Sequence, residues 1–210
     1  MQSGRNPWLS IWTKPRETIR AIVEKNPNYR ILPLAIIYSL PSLFLAAQKL
    51  SLGTTMNGWI IVVLCLALSI PIGWLGFCVN SFFLLLTGKL LKGQGSFRTI
   101  RAAFAWSSVP NVVNVAIWVV LLLVFGGAVF MKAFPTTLFA GAHGFLLQGA
   151  FVAQVVAAIW MLVIFVKALG EVQGFSAWMG LLNVVLGVIL WMIVAYFLGY
   201  LLSLLGNGAM

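Results

Sequence analysis

Acids, bases and metal ligands are scarce in this 210-residue chain. Its single histidine, His143, lies in AGAHGF, and its three carboxylates are Glu17, Glu24 and Glu171. A metal centre needs several His, Cys, Asp or Glu side chains together, and a Ser or Cys nucleophile needs a base beside it. The sequence offers neither grouping. Cys65 and Cys78 fall in one apolar run, about 20 Å apart along a helix, so they read as packing residues and not as a disulfide. The GQG at 93–95 lacks the lysine and later glycine of a phosphate-binding loop. The expectation is no catalytic residue, no metal and no cofactor, with His143 in an outer loop.

The polar groups that stand out inside apolar runs are amides. Ser107, Asn111 and Asn114 are spaced four and three residues apart and share one helix face. Pro110 frees the carbonyl of Trp106, and polar groups on that face are expected to satisfy it. Gly73, Gly76 and Asn80 form a comparable stripe, as do Gly180, Asn183 and Gly187. Small and polar residues let helices approach closely and hydrogen-bond across the seam. Two readings stay open for the cluster of Asn80, Ser107, Asn111, Asn114 and Asn183. It is structural glue, or it lines a pocket or a path for lipid headgroups.

The elements that carry these side chains follow from hydropathy. The chain is 62% hydrophobic and 8% charged, against about a quarter charged in soluble domains. Such a composition requires a membrane, where every backbone polar group must be satisfied by helix or closed barrel. Five apolar stretches, near 31–48, 59–86, 105–130, 145–168 and 177–202, each suffice to cross the hydrocarbon core. Pro33 and Pro41 are expected to break the first, and Pro71 to kink the second. The fold class is all-α, a polytopic membrane protein with five transmembrane helices. Residues 1–30 form a segment ahead of the spanning domain at 31–210. Within it, 15–25 reads as a short amphipathic helix lying in the interface, with Trp8 and Trp12 as headgroup-level anchors. The segment is polar and shows no signal-peptide pattern.

Charge placement orients the chain. There are 13 Lys+Arg against 3 Asp+Glu, for a net +10. Arg5, Lys14, Arg16, Arg20, Lys25 and Arg30 precede the first span. Lys89, Lys92, Arg98 and Arg101 lie between the second and third, and Lys167 ends the fourth. Only Lys49 and Lys132 fall on the other side. Positive residues favour the cytoplasmic face, so the N-terminus is expected to be cytoplasmic. Because the cations sit beside apolar spans, they suit anionic headgroups and not nucleic acid. Phe97, Ile100 and Phe104 make an apolar edge that leaves Arg98 and Arg101 free to reach headgroups, with Trp106 marking entry into the bilayer. "QGSFRTIRAAF" at 94–104 is echoed by "QGFSAWMGLL" at 173–182, a shared way of starting a helix with a serine cap.

Three segments carry a resemblance. "NPWLSIWTKPRETIRAIVEKNPNYR", "GQGSFRTIRAAFAWSSVP" and "ALGEVQGFSAWMGLLN", in that order along most of the chain, resemble the prokaryotic branch of the Yip domain family, the Ypt/Rab-interacting membrane proteins. The resemblance implies a multi-pass protein. In eukaryotic members it implies binding to prenylated Rab-type GTPases and to one another, with roles in vesicle budding and organelle shape. This chain lacks the long polar N-terminal region of those members. It also lacks their Asp-Leu-Tyr-Gly-Pro type motif; its nearest stretch is TKPRETI.

The functional expectation is a non-enzymatic integral membrane protein that binds lipids or partner proteins in membrane organisation or trafficking-like roles. The lipid- or partner-binding residues are Lys14, Arg16, Arg20, Arg98 and Arg101. Its partners would be membrane lipids, anionic headgroups among them, and a second copy or another membrane protein. In a bacterial cell its location would be the plasma (inner) membrane. The alternative is a passive small-molecule transporter or lipid scramblase using the intramembrane polar cluster.

Overall fold

The computed structural model describes residues 6–132 and 141–207. Eight α-helices run through them: α1 (Pro7–Thr13), α2 (Pro15–Lys25), α3 (Ile31–Lys49), α4 (Gly58–Leu90), α5 (Phe97–Ser107), α6 (Val112–Phe125), α7 (Gly141–Gln173) and α8 (Ala177–Asn207). Short 3-10 turns occupy Leu52–Thr54, Val109–Asn111 and Gly126–Phe130. Five stretches are long and apolar enough to span a membrane: α3, α4, Phe97–Phe130 across α5 and α6, Gly144–Gln173 in α7, and Ala177–Leu204 in α8.

Prolines act differently at different depths. Pro15 opens α2 at its first turn, where no intrahelical donor is needed. It thereby separates α2 from α1, which carries Trp8 and Trp12. Neither Pro33 nor Pro41 breaks α3, and α4 runs through Pro71. At Pro41 the expected break is absent because Asn111 takes over the freed Ile37 carbonyl. At Pro110 the chain does change, from α5 through a 3-10 turn into α6, so the third span is two helices and not one. His143 lies in the first turn of α7 and not in a loop.

The amphipathic helix forms over 15–25 as expected, but its apolar face meets protein and not lipid. Ile19 and Ile22 are buried with Ile11 of α1 against α3, α5 and α7. Trp8 packs on the Trp106 ring at 5.3 Å between centroids, and Tyr29 stacks on it at 6.0 Å. Trp106 is fully buried, so it is a core residue and not an entry marker for the bilayer. Helix α5 is likewise interior from Ile100 onward, with only Phe104 half-buried.

A second core lies at the opposite end, where Phe44, Trp118 and Phe130 pack together beside Ile61 and Cys65. Helices α3 and α4 form the most extensive pair in the bundle. From Trp191 to Leu204 every side chain of α8 is exposed, the pattern of a span facing lipid. Helix α4 ends in a Schellman motif: Gly93 N–H donates to Gly88 O at 2.8 Å and Lys92 N–H to Lys89 O at 3.0 Å. Lys92 holds the left-handed position, at φ 63°.

Candidate functional site

Helices α1, α2 and α5, the last turns of α4 and α7 and the first turns of α3 and α8 come together at one end. Arg16 and Arg20 are one turn apart on α2 and so face the same way. Both meet Glu171 near the end of α7. Arg20 Nη2 lies 2.6 Å from Glu171 Oε1, and Arg16 Nη1 3.7 Å from Oε2. Arg16 Nη2 also donates to the Phe175 carbonyl at 3.3 Å. Hydrogen bonding to Glu171 and its charge push the Arg20 pKa above its ordinary value. One carboxylate therefore clasps two arginines and ties α2 to the bundle. Glu171→Gln is expected to loosen that tie. Limited trypsin digestion of the solubilised protein should cut after Lys14, Arg16, Arg20 or Lys25 faster than in the wild type, and an unchanged rate would refute the clasp.

The five expected headgroup cations thus occupy three environments. Lys14 and Arg98 are exposed, with Lys14 3.5 Å from Glu17 in a surface pair that contributes little. Arg16 and Arg20 hold Glu171. Arg101 is buried rather than free for headgroups: Nη2 donates to Asn28 Oδ1 at 2.6 Å, and the guanidinium lies 4.5 Å from the Trp74 ring centroid. Burial between a ring face and an amide orients the cation without a carboxylate. Among the described residues, the other exposed cations at this end are Lys25, Arg30, Lys89, Lys92 and Lys167.

The intramembrane polar cluster also divides. Asn111 Nδ2 donates to Ile37 O at 2.7 Å and to Tyr38 O at 3.3 Å, while Asn114 Nδ2 donates to Asn111 Oδ1 at 2.6 Å. Pro41 has no N–H to offer Ile37, so Asn111 supplies the missing donor from another helix. Pro110 had been expected to draw these amides to its own helix; Asn111 serves α3 instead, and Asn114 serves Asn111. Ser107 turns back to the Phe104 carbonyl at 2.6 Å. Asn183, fully buried on α8, accepts from Thr87 Oγ1 at 2.6 Å. Asn80 stands apart, donating to Gly76 O at 2.8 Å. Asn111→Leu should cost about 1–2 kcal/mol by stranding the Ile37 carbonyl in an apolar surrounding. Thermal denaturation in detergent measures it, and a wild-type midpoint would contradict the assignment.

Sequence reasoning did not single out Gln173, which is buried and central to the basic end. Its Oε1 accepts from Gly95 N–H at 3.1 Å, and its backbone carbonyl accepts from Gln94 N–H at 3.1 Å. A Cβ at Gly93 or Gly95 would run into this side chain, which explains the glycines of GQG by close approach and not by phosphate binding. The repeated Gln-Gly was the available signal. Glu171 carried another, as the one carboxylate outside α2. Asn28 and Thr87 carried none.

Taken together, these features define a multi-pass integral membrane protein of helical bundle type, with most of its cations gathered at one end. The chain belongs to the Yip1 domain family, whose model matches residues 9–207. No curated protein and no solved structure matches it.

Proposed function

We propose that the protein is a non-enzymatic membrane component whose basic end lies in the cytoplasm and binds anionic lipid headgroups as part of membrane organisation. The observation that supports this most is the separation of charge. Lys49 and Lys132 are the cations of one end, while Arg98, Lys89, Lys92, Lys25, Arg30 and Lys167 stand exposed at the other. Of the three carboxylates at that end, Glu171 is occupied by Arg16 and Arg20 and Glu17 by Lys14, so Glu24 alone remains to offset these six cations. Each near-surface cation contributes about 1 kcal/mol toward an anionic leaflet.

The test separates binding from folding. The protein is reconstituted in nanodiscs containing phosphatidylglycerol and phosphatidylcholine, and the lipid retained on re-purification is measured. The combined variant Lys89→Glu, Lys92→Glu, Arg98→Glu is expected to retain at least tenfold less phosphatidylglycerol at an unchanged thermal midpoint. Equal retention would sink the reading. Transport is the competing reading, and it needs its polar groups on one continuous surface. The hydrogen bonds of Asn111 with Asn114, of Asn183 with Thr87 and of Asn80 instead go to three different sets of partners. Lipid scrambling in the same vesicles is expected not to exceed that of protein-free vesicles.

A further inference from the structure

Asn80 is an amide well inside the α4 span. Its side-chain amide donates to the Gly76 carbonyl, four residues back. In an α-helix that carbonyl already receives the backbone N–H of residue 80. The bond is therefore redundant, whereas Asn111 covers a carbonyl that Pro41 leaves bare and Asn183 serves Thr87. A polar side chain within an apolar span is costly, and one that faces a cavity is a candidate for function.

Asn80 faces a cavity of about 310 Å³ between α3, α4, α5, α7 and α8. The Tyr38 hydroxyl lies against the Asn80 amide there. The walls are otherwise apolar, with Phe104 and Phe165 inside and Val188 and Trp191 at the lipid-facing side. Val188 and Trp191 are about half exposed, at 51% and 47%, so the cavity opens laterally toward lipid. A mostly apolar space with a few convergent polar groups is the common form of a small-molecule site. Its entrance admits only what dissolves in the membrane.

We propose that this cavity binds one acyl chain, with the chain's carbonyl oxygen at Asn80 and Tyr38. The volume accommodates roughly ten methylene groups, each about the size of one water's share of the liquid. That is room for much of one chain and not for two. No lysine or arginine lines the space, so the oxygen group is uncharged: an ester, or a carboxyl in its protonated form. Asn80 lies ten residues before Leu90, the last residue of α4, about 15 Å along the helix. The site is separate from the exposed cations and does not depend on their role.

The probe is a lysophosphatidylcholine with a diazirine on its chain, added to the full-length protein in phosphatidylcholine nanodiscs and mapped by mass spectrometry after illumination. Saturable labelling is expected on α4 and α8 around Asn80 and Val188. Val188→Trp, which fills the space, and Asn80→Leu, which removes the polar anchor, should each reduce it at least fivefold with the thermal midpoint unchanged. Competition by unlabelled palmitic acid as well as lysophosphatidylcholine supports the shared acyl carbonyl; competition by the lysolipid alone supports the ester. Labelling that does not saturate, or that survives both substitutions, overturns the proposal and leaves only surrounding bilayer lipid. If Val188→Trp fails to fold, Asn80→Leu decides the matter alone.

Discussion

Gly73→Ala should lower the thermal midpoint of the detergent-solubilised protein sharply, although it adds only one methyl group. Gly73 of α4 lies directly against the backbone of α3. A Cβ there would overlap the Ala35 carbonyl oxygen and come within 2.8 Å of the Ala35 Cα and carbonyl carbon. Backbone atoms cannot rotate aside, so the helices must separate along the most extensive contact in the bundle. Overpacking typically costs about 1–3 kcal/mol, and a backbone clash belongs at or above the top of that range. Gly199→Ala provides the comparison, because nothing lies within 4 Å of a Cβ at that position. There alanine should be neutral or gain up to about 1 kcal/mol from helix propensity. If the two substitutions shifted the midpoint equally, the close approach of α3 and α4 would be wrong.

The second large effect concerns two arginines three residues apart on α5. Arg101→Glu puts a carboxylate where a buried cation donates to Asn28 and packs on Trp74. Leaving such a charge unmatched costs about 3–5 kcal/mol. Arg98 is exposed, and its replacement by glutamate should stay within about 0.5 kcal/mol. Arg101→Met, which keeps the bulk and loses the hydrogen bond, should fall between them. Denaturation of the three variants side by side is the measurement. Equal stability of Arg98→Glu and Arg101→Glu would show that Arg101 is not held inside. This difference also bears on function. A loss of lipid binding at Arg101→Glu would follow from the damaged fold, so Arg98, Lys89 and Lys92 are the informative positions.

The helices were largely legible in advance. Hydropathy and a period of 3.6 residues act over ten to twenty neighbours, and they placed five apolar stretches and the helix over 15–25 close to where they lie. Pro15 and the serine at 96 marked helix starts through chemistry confined to one turn. The family, too, was readable from short polar segments between the spans.

Partner choice was not legible, because it depends on residues far apart in the chain. Nothing near Pro41 announces that its bare carbonyl neighbour at Ile37 will be served by Asn111, 74 residues away. Nor does Glu171 reveal that it will take Arg20 across 151 residues. The apolar face of α2 was correctly seen as apolar, yet lipid and a helical bundle are equally good surroundings for isoleucine. Pattern alone could not choose between them. That choice fell to the clasp at Glu171 and the fit of Trp8 and Tyr29 on Trp106. Local composition could say which residues leave water, but only the packed bundle settles which groups they meet when they do.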